Sequence, residues 1–153
     1  MAEILFASAH SVGESNLHIQ LTPAYRRDVF TSRVLRDVTT SLFLEEARHL
    51  GVTLAAIDFG PDHLHLFVTE WRRWSIAALA QRFKGSTSRS LRRGYRYLFS
   101  EKLWGDKFWT AGYFYRTVGV VTAETVRRYV QESQRKHWAH STAKGQRTLV
   151  AYS

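Results

Sequence analysis

Residues 52–69 read VTLAAIDFGPDHLHLFVT, and they contain the turn signal from which we interpret the rest of the fold. Residues 52–59 form a short apolar run, which predicts a strand. Gly60–Pro61 then marks a turn, because these two residues interrupt regular structure more strongly than any others. Residues 63–69 predict a second strand, so the whole stretch predicts a β-hairpin.

The second of these strands carries two histidines, His63 and His65, at alternate positions. Side chains at positions i and i+2 of a strand project from the same face. We therefore expect Leu64, Leu66 and Val68 to face the core and both imidazoles to stand on the opposite face. Two imidazoles at this spacing can chelate one divalent ion, and a site completed by oxygen ligands suits magnesium or manganese. A pair of polar residues on a solvated sheet face is the alternative, and the spacing alone does not exclude it.

Upstream of the hairpin, the sequence predicts one strand and one helix. Residues 17–22 alternate apolar and polar side chains, which predicts a half-buried strand. Residues 31–50 carry apolar side chains at helical spacing, and Gly51 is suited to end that helix. The stripe expected to face the core consists of Val34, Val38 and Leu42, with Leu35, Phe43 and Leu50 nearby.

Downstream, the sequence predicts two more helices with a strand between them. Ser75 can cap a helix that buries Ile76, Leu79, Phe83 and Leu91 and ends near Gly94. Residues 95–111 predict no regular element, and residues 113–118 predict a strand. Thr122 can cap a last helix that runs to about Trp138.

The element order β-α-β-β-α-β-α predicts an α+β fold of ferredoxin-like (RRM-like) type. In that fold an antiparallel sheet carries its helices mainly on one face. The length of 153 residues fits one domain, 1–153. We expect its core over about residues 16–138 and a flexible tail over 139–153.

The charge of the chain favours a polyanionic partner, either nucleic acid or an acidic membrane surface. The formal net charge is +9, and residues 71–107 hold ten basic and only two acidic residues. Aromatic residues lie between these basic residues, which favours nucleic acid, because arginine and lysine track phosphates while exposed rings stack on bases.

Composition and apolar runs give expectations about compartment. The chain has no cysteine, which excludes disulfides and zinc–thiolate sites. No apolar run approaches the roughly 20 residues that span a bilayer, and the N-terminus lacks signal-peptide features. We expect a cytoplasmic protein without a membrane segment.

The segment from Phe59 to Val68 resembles the histidine–hydrophobic–histidine strand of the HUH-type single-tyrosine transposases of single-strand insertion sequences. Four further segments resemble the same family in the same order: residues 18–27, 83–89, 103–119 and 128–130. The resemblance implies a transposase that cleaves and rejoins single-stranded DNA.

The resemblance also implies site residues and a cofactor. Tyr129 falls where the family carries its nucleophile, and attack on DNA would leave a 5′-phosphotyrosine and a free 3′ hydroxyl. His63 and His65 would hold Mg²⁺ or Mn²⁺, with a further ligand from the last helix. The family has glutamine four residues after the tyrosine, where this chain has Ser133. Gln134 reaches the family position if the helix contains a π-bulge, and Glu132 is the rival ligand.

The resemblance further implies a hairpin-forming single-stranded DNA as partner and a homodimer in which Tyr129 of one subunit serves the histidines of the other. The candidate DNA-binding residues are Arg26, Arg27, Arg82, Lys84, Arg89, Arg92 and Arg93. Asp62 is a candidate for orienting a metal-bound histidine, although an aspartate after Gly-Pro is also a common turn residue. Two alternatives remain: a non-catalytic module that binds single-stranded nucleic acid, and a domesticated relative of such a transposase.

Overall fold

The computed structural model describes residues 3–4, 16–118, 128 and 131–132. These residues form a five-stranded antiparallel sheet and two long helices. The strands are β1 (Glu3–Ile4), β2 (Asn16–Leu21), β3 (Thr53–Gly60), β4 (His63–Thr69) and β5 (Phe114–Val118). The helices are α1 (Arg33–Leu50) and α2 (Ile76–Gly94), and short 3-10 turns cover Ala24–Arg26, Val29–Thr31 and Arg96–Leu98.

The sheet has the strand order β1-β3-β4-β2-β5, with every neighbouring pair antiparallel. Strands β2 to β5 with α1 and α2 reproduce the predicted β-α-β-β-α-β order, in which β4 lies between β3 and β2. The predicted ferredoxin-like α+β fold is confirmed. The two-residue strand β1 pairs with β3 and was not predicted, since two residues show no periodicity.

The predicted hairpin is confirmed. Gly60 pairs with His63, which leaves Pro61 and Asp62 as the two residues of the turn. The turn is attached to the rest of the molecule, because the backbone N–H of Phe30 donates to the carbonyl of Pro61 at 3.0 Å. His63, the first residue of β4, is therefore positioned both by its pairing with Gly60 and by the hydrogen bond that anchors the turn.

The core lies between one face of the sheet and the two helices. Leu64 and Leu66 of β4 are fully buried, as is Ile19 of the neighbouring β2. Phe43 of α1 and Phe83 of α2 meet above them, with ring centroids 5.5 Å apart. The predicted direction of the leucines is confirmed, so His63 and His65 project from the opposite face.

Helix α1 begins and ends as its sequence predicts, but its buried stripe is shifted by one residue. Ser32 caps the N-terminus by accepting from the N–H of Leu35 at 3.1 Å, and Gly51 ends the helix in the left-handed conformation, φ 71°. Val34 is 56% exposed, so its predicted place in the core is wrong. The buried positions are Leu35, Arg36, Thr39, Phe43, Ala47 and Leu50. Two of these are polar, which is why the apolar pattern pointed to the adjacent stripe.

Helix α2 matches its prediction, with Ser75 accepting from the N–H of Ala78 at 3.0 Å and Leu79, Phe83 and Leu91 fully buried. Of the predicted last helix, the structure describes Arg128, Gln131 and Glu132, and each is helical and exposed. The predicted positions Tyr129 and Gln134 and the tail 139–153 lie outside the described residues. None of the described helices is long and apolar enough to cross a membrane.

Candidate active site

His63 and His65 lie side by side on the sheet face opposite the helices. Their ring centroids are 5.0 Å apart and the rings are nearly perpendicular. Each residue is only 7% exposed, so the alternative of two solvated polar residues does not describe them. A buried imidazole needs hydrogen-bond partners, because leaving a polar group unsatisfied away from water costs about 1–3 kcal/mol.

The partner of His63 is Asp62, the second residue of the turn. Nδ1 of His63 lies 2.8 Å from Oδ1 of Asp62, and the other carboxylate oxygen accepts from Nε of Arg26 at 3.2 Å. The hydrogen bond from His63, followed by the charges of His63 and Arg26, holds the pKa of Asp62 at about 2 despite its partial burial. Asp62 is therefore ionised at neutral pH, and Nδ1 of His63 is the donor.

The partner of His65 is His18, from the neighbouring strand β2. Nε2 of His18 lies 2.8 Å from Nδ1 of His65, and the His18 ring stacks on Phe67 with centroids 5.0 Å apart. Burial, and to a smaller extent the charge of Arg116, lower the pKa of His18 to about 4. His18 is therefore neutral at pH 7, and in its tautomer protonated on Nδ1 its Nε2 accepts a hydrogen bond from Nδ1–H of His65.

Gly60 makes room for His63. The two residues are opposite each other in the β3–β4 pair. A Cβ at residue 60 would come closest to Cε1 of the His63 ring and would lie 2.8 Å from its Nε2 and 2.9 Å from its Nδ1. Contacts this short are not tolerated, so any side chain at residue 60 would displace the imidazole.

These contacts suit two metal-binding imidazoles. Nδ1 of His63 lies against Asp62, and Nδ1 of His65 lies against His18. When a neutral imidazole donates through Nδ1, its Nε2 carries the lone pair that can bind a metal ion. Ligating histidines are commonly fixed in this way by a second hydrogen bond. A divalent cation fits this donor set, provided that further ligands are supplied.

Within residues 3–4, 16–118, 128 and 131–132, no three His, Cys, Asp or Glu side chains form a cluster that could hold a metal ion. Glu132, the rival ligand, is among those residues and is exposed. Gln134 and the predicted nucleophile Tyr129 are outside them, so the third ligand and the nucleophile stay predictions.

Six of the seven candidate DNA-binding residues lie on three different surfaces. Arg26 and Arg27 follow β2, next to the turn that carries Asp62. Arg82 and Arg89 line a groove between α1 and α2 that also contains Glu45 and Glu46. Lys84 and Arg92 line a groove of about 670 Å³ between α2 and residues 106–113. The seventh, Arg93, is an exposed residue of the last turn of α2.

Lys84 and Arg82, like Arg26, also have partners within the protein. Nζ of Lys84 donates to the carbonyls of Ala111 and Gly112 at 2.8 and 3.3 Å, which attaches α2 to the segment before β5. The guanidinium of Arg82 lies 5.4 Å from the centre of the Trp74 ring. Lys84 and Arg82 therefore contribute to folding whether or not they meet DNA.

Two residues of the site were not found from the sequence, His18 and Gly60. His18 was treated as an ordinary polar position of an alternating strand, and only strand pairing places it beside His65. Gly60 was interpreted as a turn residue. A two-residue turn at Pro61 and Asp62 places Gly60 opposite His63, so this position could have been predicted from the sequence.

The family model for IS200-like transposases matches residues 11–133, which is most of the chain. The chain belongs to the IS200-like transposase family. This transposase is 26% identical over 119 residues to the ISDra2 transposase TnpA of Deinococcus radiodurans, covering 78% of the chain and 84% of the relative. It is also 26% identical over 144 residues to the transposase for insertion sequence element IS200 of Salmonella typhimurium, covering 94% and 90%.

Two solved structures share the fold of this transposase. A putative transposase from Deinococcus radiodurans superposes with a TM-score of 0.62 at 22% identity, over 85% of this chain and 98% of that one. A REP-associated tyrosine transposase bound to a REP hairpin superposes with a TM-score of 0.53 at 10% identity, over 82% and 66%. The family membership predicted from the histidine motif and its flanking segments is confirmed.

Proposed function

We propose that this transposase cleaves and rejoins single-stranded DNA through a 5′-phosphotyrosine on Tyr129. One observation carries the proposal: in a chain of this family, His63 and His65 are buried side by side with Nδ1 of each against a hydrogen-bonding partner. Metal-binding histidines are commonly fixed by a second hydrogen bond: Asp62, an acceptor, fixes the tautomer of His63, and His18 orients the ring of His65.

His63 and His65 would hold Mg²⁺ or Mn²⁺ together with Gln134, or with Glu132 in its place. A bound divalent cation would polarise the scissile phosphate and offset charge on the departing 3′ oxygen. The chain supplies the nucleophile: Oη of Tyr129 attacks phosphorus and loses its proton, the P–O3′ bond breaks, and the 3′ oxygen gains a proton. Rejoining is the reverse attack by a 3′ hydroxyl, so no nucleotide cofactor is consumed.

We propose that the DNA carries a hairpin beside its single-stranded cleavage site. The structural relative bound to a REP hairpin supports a partner of that kind, as do the net charge of +9 and the basic surfaces around α2. Basic residues on more than one surface suit a ligand with both paired and unpaired regions.

The test is covalent trapping. The transposase is incubated with a hairpin-bearing single strand and Mg²⁺ or Mn²⁺, and the adduct is mapped by mass spectrometry. We expect an adduct on Tyr129 that disappears in Tyr129→Phe while DNA binding is retained, because only the nucleophilic oxygen is lost. An adduct that persists in Tyr129→Phe would transfer the role to another tyrosine.

We also propose a homodimer in which each tyrosine serves the histidines of the other subunit. Mixing inactive Tyr129→Phe and His63→Ala variants tests this arrangement. If the site is shared, the mixed dimer contains one complete site and regains cleavage. If each subunit is self-sufficient, the mixture stays inactive.

A further inference from the structure

Tyr25 and Trp104 both line an open cleft of about 350 Å³, whose other lining residues are Ala24, Gly105, Asp106, Lys107 and Thr110. Tyr25 is 82% exposed and Trp104 is 63% exposed. Large aromatic rings are usually at least half-buried, so two exposed rings at one cleft mark a surface prepared for contact.

Tyr25 occupies an unfavourable backbone conformation. Its φ of 60° and ψ of 19° lie in the left-handed region, and Arg26 follows with φ 53°. Bulky residues rarely adopt this conformation, and where they do the site is commonly functional. An exposed ring gains little from packing, so the fold of the chain alone does not account for a tyrosine at this position.

Ala24 and Thr110, which line the cleft, are hydrogen-bonded to the backbone of neighbouring segments. The N–H of Ala24 donates to the carbonyl of Phe108 at 2.8 Å, and the N–H of Thr110 donates to the carbonyl of Thr22 at 2.9 Å. Phe108 itself is fully buried. The guanidinium of Arg27 lies over one face of the Trp104 ring, 5.0 Å from its centre, and the tryptophan remains 63% exposed. Both rings are therefore presented by a rigid support.

The cleft lies between the histidine pair and a basic groove. Arg26, the residue after Tyr25, binds Asp62, whose other oxygen meets His63. In the opposite direction the cleft shares Asp106, Lys107 and Thr110 with the groove between α2 and residues 106–113, where Lys84 and Arg92 give a surplus of positive charge. Aromatic rings alternating with basic residues along one path are typical of single-strand binding, where rings stack on bases and cations track the backbone.

We infer that the cleft between Tyr25 and Trp104 is a stacking site for one unpaired base of single-stranded DNA bound next to the histidine pair. The inference rests on the proposed function and specifies where the strand runs as it leaves the cleavage site. Stacking uses the face of a base, which all four bases share, so the site selects unpaired over paired DNA more than it selects sequence.

The test is binding of a fluorescently labelled dT 12-mer in chelator, where no cleavage occurs, followed by anisotropy. We expect Tyr25→Ala and Trp104→Ala each to weaken binding by about 5- to 150-fold, the loss of roughly one base–ring stack. Tyr25→Phe keeps the ring and should bind nearly as the wild type does. Tyr97→Ala is the matched control, because Tyr97 is 74% exposed but does not line the cleft.

Tyr25→Gly separates a binding role from a structural one. Glycine adopts the left-handed conformation without strain, so this variant should bind the 12-mer as weakly as Tyr25→Ala while unfolding at the wild-type temperature or above. A lower unfolding temperature with unchanged binding would show that Tyr25 is structural and would overturn the inference.

A blunt-ended duplex with the sequence of a hairpin stem and no loop distinguishes the two proposals. We expect its affinity to be unchanged in Tyr25→Ala and Trp104→Ala, because it offers no unpaired base. If the alanine variants bind the 12-mer as tightly as the wild type, the stacking site is wrong while single-strand cleavage stands. If the wild type binds neither DNA, both proposals fail.

Discussion

His63 and His65 differ in the groups that hold them: a carboxylate for one and a neutral imidazole for the other. The aspartate follows from the turn sequence, whereas His18 is 47 residues away from its partner and meets it only through strand pairing. Each contact fixes the orientation of a ring whose other nitrogen is the proposed ligand. The metal affinity of the proposed site would therefore depend on residues that do not contact the ion.

We expect His63→Ala to abolish tight Mn²⁺ binding and His18→Phe to weaken it by about 10- to 100-fold, the usual effect of losing a partner that orients a ligand. His49→Ala should bind as the wild type does, because His49 is an exposed residue of α1. Manganese titration followed by electron paramagnetic resonance gives the affinities, and thermal unfolding reports whether each variant folds.

Added chelator should reproduce the cleavage defect of His63→Ala in the wild type, and added Mn²⁺ should restore only the wild type. Full cleavage in saturating chelator would refute the metal requirement. Failure of His63→Ala to fold would indicate a structural role for the pair.

The buried His18 predicts a pH dependence of stability in the metal-free protein. Its pKa is lowered from 6.5 to about 4, so between these values the unfolded chain binds a proton that the folded chain does not. The contribution of neutral His18 to the free energy of unfolding is therefore fully present above pH 6.5. It is lost as the pH falls to 4, and the total loss is about 3 kcal/mol. Urea unfolding in chelator at pH 7, 5.5 and 4.5 measures this loss. The decrease of the unfolding free energy between pH 7 and 4.5 should be smaller in His18→Phe than in the wild type.

At the scale of elements, the end of α1 depends on the backbone conformation of one residue, Gly51, and its effect on the free energy of unfolding can be measured. Gly51 has φ 71°, and its carbonyl accepts from Arg73 at 2.8 Å. We expect Gly51→Ala to destabilise the fold by about 1–2 kcal/mol, because residues with a Cβ disfavour this conformation. Gly94→Ala, at the end of α2 with open space around it, is the control and should be neutral or stabilising. Chemical denaturation measures both.

Elements were predictable from the sequence where periodicity and caps agreed. The alternation of Leu17, Ile19 and Leu21 gave β2, and Ser75 with the apolar stripe after it gave α2. The stripe of α1 was misplaced because Arg36 and Thr39 are buried, and burial of a polar residue depends on partners elsewhere in the chain. Arg36, for example, donates to the carbonyl of Phe30 at 2.7 Å. The left-handed Tyr25 was likewise not predictable, since nothing in its local sequence favours that conformation.

For the molecule as a whole, the distribution of basic residues predicts how binding responds to salt. If the hairpin DNA contacts about four to six phosphates, log K should fall with log salt at a slope of about −3 to −5. Replacing Arg92 and Lys107 by alanine should flatten that slope by about 1.5, because both line the groove that joins the stacking cleft.

The matched pair is Arg82 and Arg89, which line the other groove, opposite the acidic residues of α1. We expect their replacement to flatten the slope less than replacement of Arg92 and Lys107. The reverse order would place the DNA between α1 and α2. Fluorescence anisotropy at four salt concentrations is sufficient to compare the slopes.

Gly60 has a consequence for the inheritance of such a gene. Every missense change at this codon introduces a Cβ, and every Cβ at this position meets the His63 ring. If His63 holds the proposed metal, copies of the gene would lose catalysis in one mutational step, at a position outside the core, the helices and the basic grooves. The expected product of that step is a folded DNA-binding protein that no longer cuts, a starting point from which a host genome can recruit a former mobile element.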